Sequence, residues 1–343
     1  MRKLLNTLYI ITPDNYLALD GETVLIRKNE ETVKRLPLHN LEAIVTFGYT
    51  GASPALMGAC AKRSIDLSFL TPSGRFLARV VGESRGNVTL RKEQYRISDS
   101  EEKSCAVARN FIIGKIYNAK WILERAARDH GMRLDAERLK KVSSMLTKKL
   151  EEVVYCGELE QLRGIEGNAA NMYFGEFDGL ILQQRESFYF NGRNKRPPTD
   201  NVNALLSFTY TLLARDCAAA LEAVGLDAYV GFLHRDRPGR ASLALDLMEE
   251  LRCLVADRFV LSLINKKAIN GEGFVKRENG AVIMEDETRK TVLAAWQERK
   301  REQMTHPFLD EKVEWGLVPY VQATLLARFL RGDLDEYPPL MWK

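Results

Sequence analysis

Apolar positions alternate with polar ones over roughly the first eighty residues, and beyond residue 90 they recur every three to four. The early runs KLLNTLYII, YLALD, TVLIRK, TVKRLPL, NLEAIVTFG, IDLSFL and RFLARVVG predict short strands. Asp20-Gly21, Asn29 to Glu31 and Pro72 to Gly74 supply the breaks, and SPALMGACAKR predicts one helix among the strands. Tyr9, Tyr16 and Phe47 fall in these strands as core residues.

After residue 90 the stretch EKSCAVARNFIIGKIYNAKWILERAARDHG sets Ala106, Phe111, Ile113, Ile116, Ile122 and Ala126 at helical spacing. Further helices are predicted over 134–153, 157–175, 199–224, 241–270, 287–305 and 314–332. One hairpin interrupts them at GFVKRENGAVIM, turning on Glu278-Asn279-Gly280. The expected fold class is α+β and multidomain: an N-terminal β-sandwich-like domain over 1–90, then a larger, mostly α-helical domain over 91–343. The polar, turn-rich GESRGN and ISDSEEKS stretches mark the link.

Composition adds little to this pattern. At 343 residues and 45% hydrophobic the chain buries a sizeable core, and its length suits two domains. Lys and Arg total 50 against 46 for Asp and Glu, a net +4 that leaves the partner open; any nucleic-acid surface must come from local clustering. Cys60, Cys105, Cys156, Cys217 and Cys253 are odd in number and form no CxxC pair. That argues against a disulfide framework and a zinc knuckle, and for a reducing cytoplasm. MRKLLNTLYIITPD is interrupted by Asn6 and Thr7, and no run approaches the eighteen apolar residues of a membrane span. A cytoplasmic protein with no membrane partner is expected.

Three segments carry candidate chemistry. In GFLHRDRPGRASLALDLMEELR, Asp246 and Glu249 stand at i and i+3, so both carboxylates leave one helix face. His234 lies twelve residues earlier, before a Pro238-Gly239 turn that folds it back toward that face. Two carboxylates and an imidazole suit Mg²⁺ or Mn²⁺, although such a pair also occurs on solvated helices. In LRGIEGNAANMYFGEF, Gly164 and Gly167 bracket Glu166 in a helical pattern. A glycine there costs about 1 kcal/mol relative to alanine, so something approaches closely, either another helix or a nucleic-acid backbone.

In SFYFNGRNKRPPTDNVNALLSFTYTLL, Arg193, Lys195 and Arg196 adjoin Phe188, Tyr189 and Phe190. Cations neutralise phosphates and aromatic faces stack on unpaired bases, so the loop suits a strand end; a solvated charged turn is the alternative. GxxxxGK, GxSxG, HExxH and a GxGxxG after a strand are all absent. His39, His130 and His306 lack acidic or cysteine companions at ligand spacing and read as structural.

In this order GIEGNAANMYF, RPPTDNVNALLSFTYTLL and GFLHRDRPGRASLALDLMEELR resemble the CRISPR-associated adaptation integrases, the Cas-one family. The likeness covers nearly the whole chain, and the closing YPPLMWK is similar to endings in the type I-C branch. The resemblance implies a metal-dependent DNA endonuclease and integrase that works as a homodimer, with the β-rich domain as the dimerisation domain. Two dimers would flank a dimer of the small Cas-two companion, bind a duplex with 3′ overhangs and insert it at CRISPR repeat DNA. Glu166, His234 and Glu249 would take the metal-ligand positions and Asp246 the neighbouring acidic one, all four meeting around one ion. The family often has Asp at the third position, so Glu249 is one methylene longer. Arg193, Lys195, Arg196, Arg235, Arg237 and Arg240 would position phosphates, and Tyr210 would contact a displaced or terminal nucleotide.

The chemistry accounts for that residue set. A 3′-hydroxyl attacking a phosphodiester develops negative charge on attacking and leaving oxygens, which a divalent cation stabilises. His234 is a ligand on the resemblance, or alternatively a proton shuttle. Two other functions remain open: a non-catalytic nucleic-acid scaffold, and a metal-dependent hydrolase of a small molecule.

Overall fold

The computed structural model describes residues 6–343 except 13, 30, 49, 73 and 84–87. Positions 3–5 of the first expected strand and most of the GESRGN link therefore lie outside the described residues. The chain divides into two compact units, one running up to Arg85 with Met284–Glu302 added, the other Gly86–Ile283 with Gln303–Lys343.

In the first unit the alternating runs become two four-stranded sheets. One holds β1 (Thr7–Ile10), β5 (Ala43–Phe47), β7 (Asp66–Leu70) and β8 (Phe76–Arg79); the first three are parallel and β8 is antiparallel. The other is ordered β4 (Glu31–Pro37), β3 (Thr23–Lys28), β2 (Asn15–Asp20) and β6 (Gly51–Ala52). Asp20 pairs with Thr23 across a two-residue loop, where Gly21 takes φ +56°, the left-handed conformation such hairpins need. Leu17, Val24, Ile44 and Leu67 from both sheets, with Leu56 of α1 (Pro54–Arg63), form one apolar core. Each such buried side chain contributes about 1.5–3 kcal/mol. Ser53 caps α1 by accepting the N–H of Leu56 at 3.2 Å. Phe47 is buried and Tyr9 half-buried, but Tyr16, expected in the core, is exposed.

A division at residue 90 is too simple. Helix α9 (Asp286–Arg301) belongs to the first unit, where Gln297 donates to the Tyr9 hydroxyl at 3.1 Å and the Arg289 guanidinium lies 5.9 Å from the Phe47 ring centre. The expected link also contains a helix, α2 (Val88–Ser98).

The second unit is built around α3 (Glu101–His130), which starts at a Ser100 cap. Its buried face is set by Phe111, Ile112, Ile116 and Leu123, while Ala106 is exposed. Around it lie α4 (Ala136–Val154), α5 (Leu159–Gly175), α6 (Asn201–Ala223) and α7 (Ser242–Leu251). A π-helical turn, Arg252–Asp257, joins α7 to α8 (Arg258–Asn265). By length and composition α6 is able to cross a membrane, yet 61% of its apolar window is buried inside the protein. The hairpin of β9 (Phe274–Lys276) and β10 (Val282–Met284) forms as expected. A second hairpin forms before α10 (Val318–Leu330): β11 (Gln303–His306) replaces the end of the helix expected over 287–305, and β12 (Glu311–Glu314) lies mostly in the gap before the one expected from 314.

Candidate active site

Asp246 organises the site from inside. It is fully buried on α7, and its carboxylate accepts the backbone N–H groups of Phe232, Leu233 and His234 at 2.6, 2.9 and 3.0 Å. Its Oδ1 also lies 2.6 Å from His234 Nδ1. The segment wraps so tightly that a Cβ on Gly231 would stand 2.8 Å from the Asp246 carboxylate, which restricts that position to glycine. Asp246 thus assigns the proton to Nδ1 and leaves Nε2 as the imidazole nitrogen it does not engage.

Glu249, one turn further on, is nearly as buried and is held at both oxygens, by Lys115 Nζ at 2.6 Å and by Arg252 at 2.7 Å. Burial alone would raise its carboxyl; Arg252 and Lys115, helped by His234, outweigh it and bring the pKa down to about 2. The Lys115 ammonium also bonds Glu166 of α5. Burial works against that ammonium, but Glu249 and Glu166 hold its pKa above the ordinary lysine value. Two acids far apart in the chain therefore converge on one cation.

Arg163, one turn before Glu166 on α5, donates to the Leu233 carbonyl at 2.9 and 2.6 Å, tying that helix to the residue preceding His234. Glu166, His234 and Glu249 line one cavity of about 480 Å³, together with Glu160, Arg163 and Arg240. Among the described residues, no atom outside the local backbone of α5 lies within 4 Å of a Cβ placed at Gly164 or Gly167, so the close approach those glycines permit is not to another described helix.

A divalent cation fits this donor set. Among the described residues no three acidic, imidazole or thiol side chains already surround one point. However, two ligand-type carboxylates close on an ammonium, a monovalent stand-in, and an imidazole whose Nε2 is not engaged by Asp246 lines the same cavity. Asp246, expected at the neighbouring acidic position around the same ion, has its oxygens taken by three amides and Nδ1, an arrangement that suits positioning His234.

The basic residues divide. Lys195, Arg196 and Arg237 are exposed, and Arg235 is exposed while paired with Glu160. Arg193 turns inward: it donates to Asn203 at 2.7 Å and Ser207 at 3.0 Å, and lies 5.2 Å from the Tyr210 ring centre. Arg240 bonds the Arg235 carbonyl and shapes the loop. The Tyr210 hydroxyl, expected to meet a nucleotide, is held by Asp257 at 2.6 Å. Phe188 and Phe190 are core residues, whereas Tyr189 is exposed.

Arg252 and Asp257 stand one π turn apart, so both reach Tyr210, the guanidinium 4.9 Å from its ring centre. Burial raises the Asp257 carboxyl to about 6, against the Tyr210 hydrogen bond and the Arg252 charge. Sequence reasoning missed Lys115, Arg163, Arg252 and Asp257; the available signals were a lysine inside an apolar helix face and the arginine closing DLMEELR.

A β-rich first part followed by a mostly helical remainder that carries this site is the architecture of the CRISPR-associated Cas1 fold. The Cas1 protein of Thermotoga maritima has a TM-score of 0.81 at 22% identity, covering 95% of this chain and 97% of that one. A casposase bound to integration product has a TM-score of 0.84 at 21% identity, with 98% and 94% covered. The family model described as CRISPR associated protein Cas1 matches residues 8–298. The chain is 48% identical over 343 residues to CRISPR-associated endonuclease Cas1 1 of Chlorobaculum tepidum. It is 49% identical over 347 residues to CRISPR-associated endonuclease Cas1 2 of Rhodospirillum rubrum, and both alignments cover all of each chain. This chain belongs to the Cas1 family.

Proposed function

We propose that this chain is a metal-dependent DNA endonuclease and integrase of CRISPR adaptation, inserting short DNA fragments into the array by transesterification from a 3′-hydroxyl. The observation that carries the reading is the convergence of Glu166 and Glu249 on one cation beside His234, in a cavity bordered by arginines. Full-length relatives named as endonucleases agree with it.

Glu166, Glu249 and His234 Nε2 would hold Mg²⁺ or Mn²⁺. When bound, such an ion stabilises charge developing on phosphodiester oxygens and polarises the attacking hydroxyl. Asp246 keeps the imidazole in the Nδ1–H form, and Arg163 fixes the His234 segment against α5. Lys195, Arg196, Arg235 and Arg237 supply exposed positive charge for phosphates of a duplex with 3′ overhangs and of the repeat. The reading includes a homodimer formed through the β-rich unit, a Cas2 companion, a cytoplasmic location and, from the YPPLMWK ending, the type I-C branch. A chain of a Cas6-RT-Cas1--Cas2 complex shares the fold over 36% of its own length, at TM-score 0.81.

The test is strand transfer of labelled prespacer DNA into a supercoiled CRISPR plasmid by the protein with its companion and Mn²⁺ or Mg²⁺. Glu166→Ala and His234→Ala should abolish transfer and leave DNA binding largely intact. Normal integration by both variants overturns the catalytic reading in favour of a scaffold, and turnover of a small phosphoester without DNA favours a hydrolase.

A further inference from the structure

We propose that Lys115 is the resident counter-ion of the metal site in the metal-free protein, its ammonium holding Glu166 and Glu249 at ligand separation until an incoming divalent cation displaces it. This inference rests on the metal reading above. Its basis is the place of the Lys115 side chain: on the buried face of α3, 7% exposed, with Nζ against both carboxylates. Two carboxylates brought this close repel unless a cation lies between them. Here an ammonium does what a metal would do, so the ligands are ordered before any metal arrives.

Charge balance makes the arrangement an exchange rather than an addition. Glu166 and Glu249 against Lys115 and Arg252 leave the cluster with no net charge. A dication entering beside both cations would leave a strong positive excess, so one cation withdraws. Arg252 is held from a second side by the Tyr210 ring, whereas among the described residues the Lys115 ammonium is anchored through the two carboxylates alone and sits on a flexible four-carbon stem. Lys115 is therefore the cation that yields. A dication in the place of the Lys115 ammonium makes the cluster one charge more positive than before, which favours a phosphodiester, so metal and DNA reinforce each other's binding.

The experiment measures Mn²⁺ binding by the free-ion electron paramagnetic resonance signal at pH 8, together with melting temperature without and with Mn²⁺. It compares wild type with Lys115→Met, and with Lys115→Gln as a second neutral variant that keeps hydrogen bonding to the carboxylates. Both variants are expected to melt lower than wild type without metal and to gain more from Mn²⁺. They should also bind Mn²⁺ roughly tenfold to a hundredfold tighter, the scale on which one displaced neighbouring charge acts. Unchanged or weaker Mn²⁺ binding in both variants overturns the counter-ion role. Glu166→Gln and His234→Ala separate the two readings: if they bind Mn²⁺ as wild type does, the ligand assignment itself is wrong. If they lose Mn²⁺ while the Lys115 variants match wild type, only the counter-ion role fails.

Discussion

His234 Nδ1 and Asp246 Oδ1 stand 2.6 Å apart, and the aspartate that holds the ring has no solvent exposure. Asn at 246 retains the size but offers one carbonyl oxygen where a carboxylate now accepts three amide N–H groups and the imidazole. Asp246→Asn should lower Mn²⁺ affinity by about 10–100-fold, the usual cost of losing a ligand's positioning partner. It should also cost about 3–5 kcal/mol of stability, as breaking a buried charged network does. DNA binding should persist. Metal titration beside chemical denaturation checks both effects, and unaltered metal affinity removes the positioning role.

Glu250, the next residue after Glu249, faces the C-terminal segment instead of the cavity. Its carboxylate accepts from the Tyr337 hydroxyl, from Gln322 at 3.1 Å and from the Leu340 N–H at 2.7 Å. Burial dominates and pushes its pKa from 4.5 up to about 7 despite those donors. A carboxyl whose folded value is raised stabilises fully below about pH 4.5 and loses that contribution as the pH climbs to about 7. Glu250→Gln does not titrate. The stability advantage of wild type over the variant should therefore shrink, by on the order of 3 kcal/mol, between pH 4.5 and 7. Denaturant melts across that window decide it, and a constant difference excludes Glu250 as the titrating group.

Within one loop Arg193 turns inward and Arg196 is exposed, so the two test structure against DNA contact. Arg193 hydrogen-bonds Asn203 and Ser207 at the start of α6, so Arg193→Ala should cost about 1–3 kcal/mol of stability and leave the salt dependence of DNA binding unchanged. Arg196 is exposed, so Arg196→Ala should leave stability unchanged, weaken DNA binding and lower the salt slope by about one. Binding isotherms at several salt concentrations distinguish the pair; an unaltered slope for Arg196→Ala refutes the phosphate role.

The sequence exposed what depends on local period and failed where placement depends on distant partners. The change of period separated the strand-rich part from the helices, and the i, i+3 spacing placed Asp246 and Glu249 on one face. Helix α2 was missed because so few of its side chains are buried that it reads as polar linker, and β11 and β12 because four-residue strands around His306-Pro307 carry too little alternation. The place of α9 in the first unit rests on contacts such as Gln297 with Tyr9, which no spacing encodes. Lys115 was invisible for the same reason: its carboxylate partners lie 51 and 134 residues away. Arg193 and Tyr210 looked available because composition shows a charge and a ring without showing Asn203 or Asp257 beside them.

Gly164 and Gly167 flank Glu166 on α5, and among the described residues no atom beyond the local helix backbone lies within 4 Å of where either Cβ would stand. Among the described residues nothing beyond the local helix backbone opposes alanine there. Helix propensity and the reduced freedom of the unfolded chain should then make Gly164→Ala and Gly167→Ala each more stable by about 0.4–1 kcal/mol. If the open space receives the DNA backbone, the same methyl groups intrude on the substrate, and strand transfer should fall as the melting temperature rises. Opposite changes in the two measurements identify this helix face as a substrate surface. A rise in melting temperature with full strand transfer shows that the glycines leave room no substrate uses.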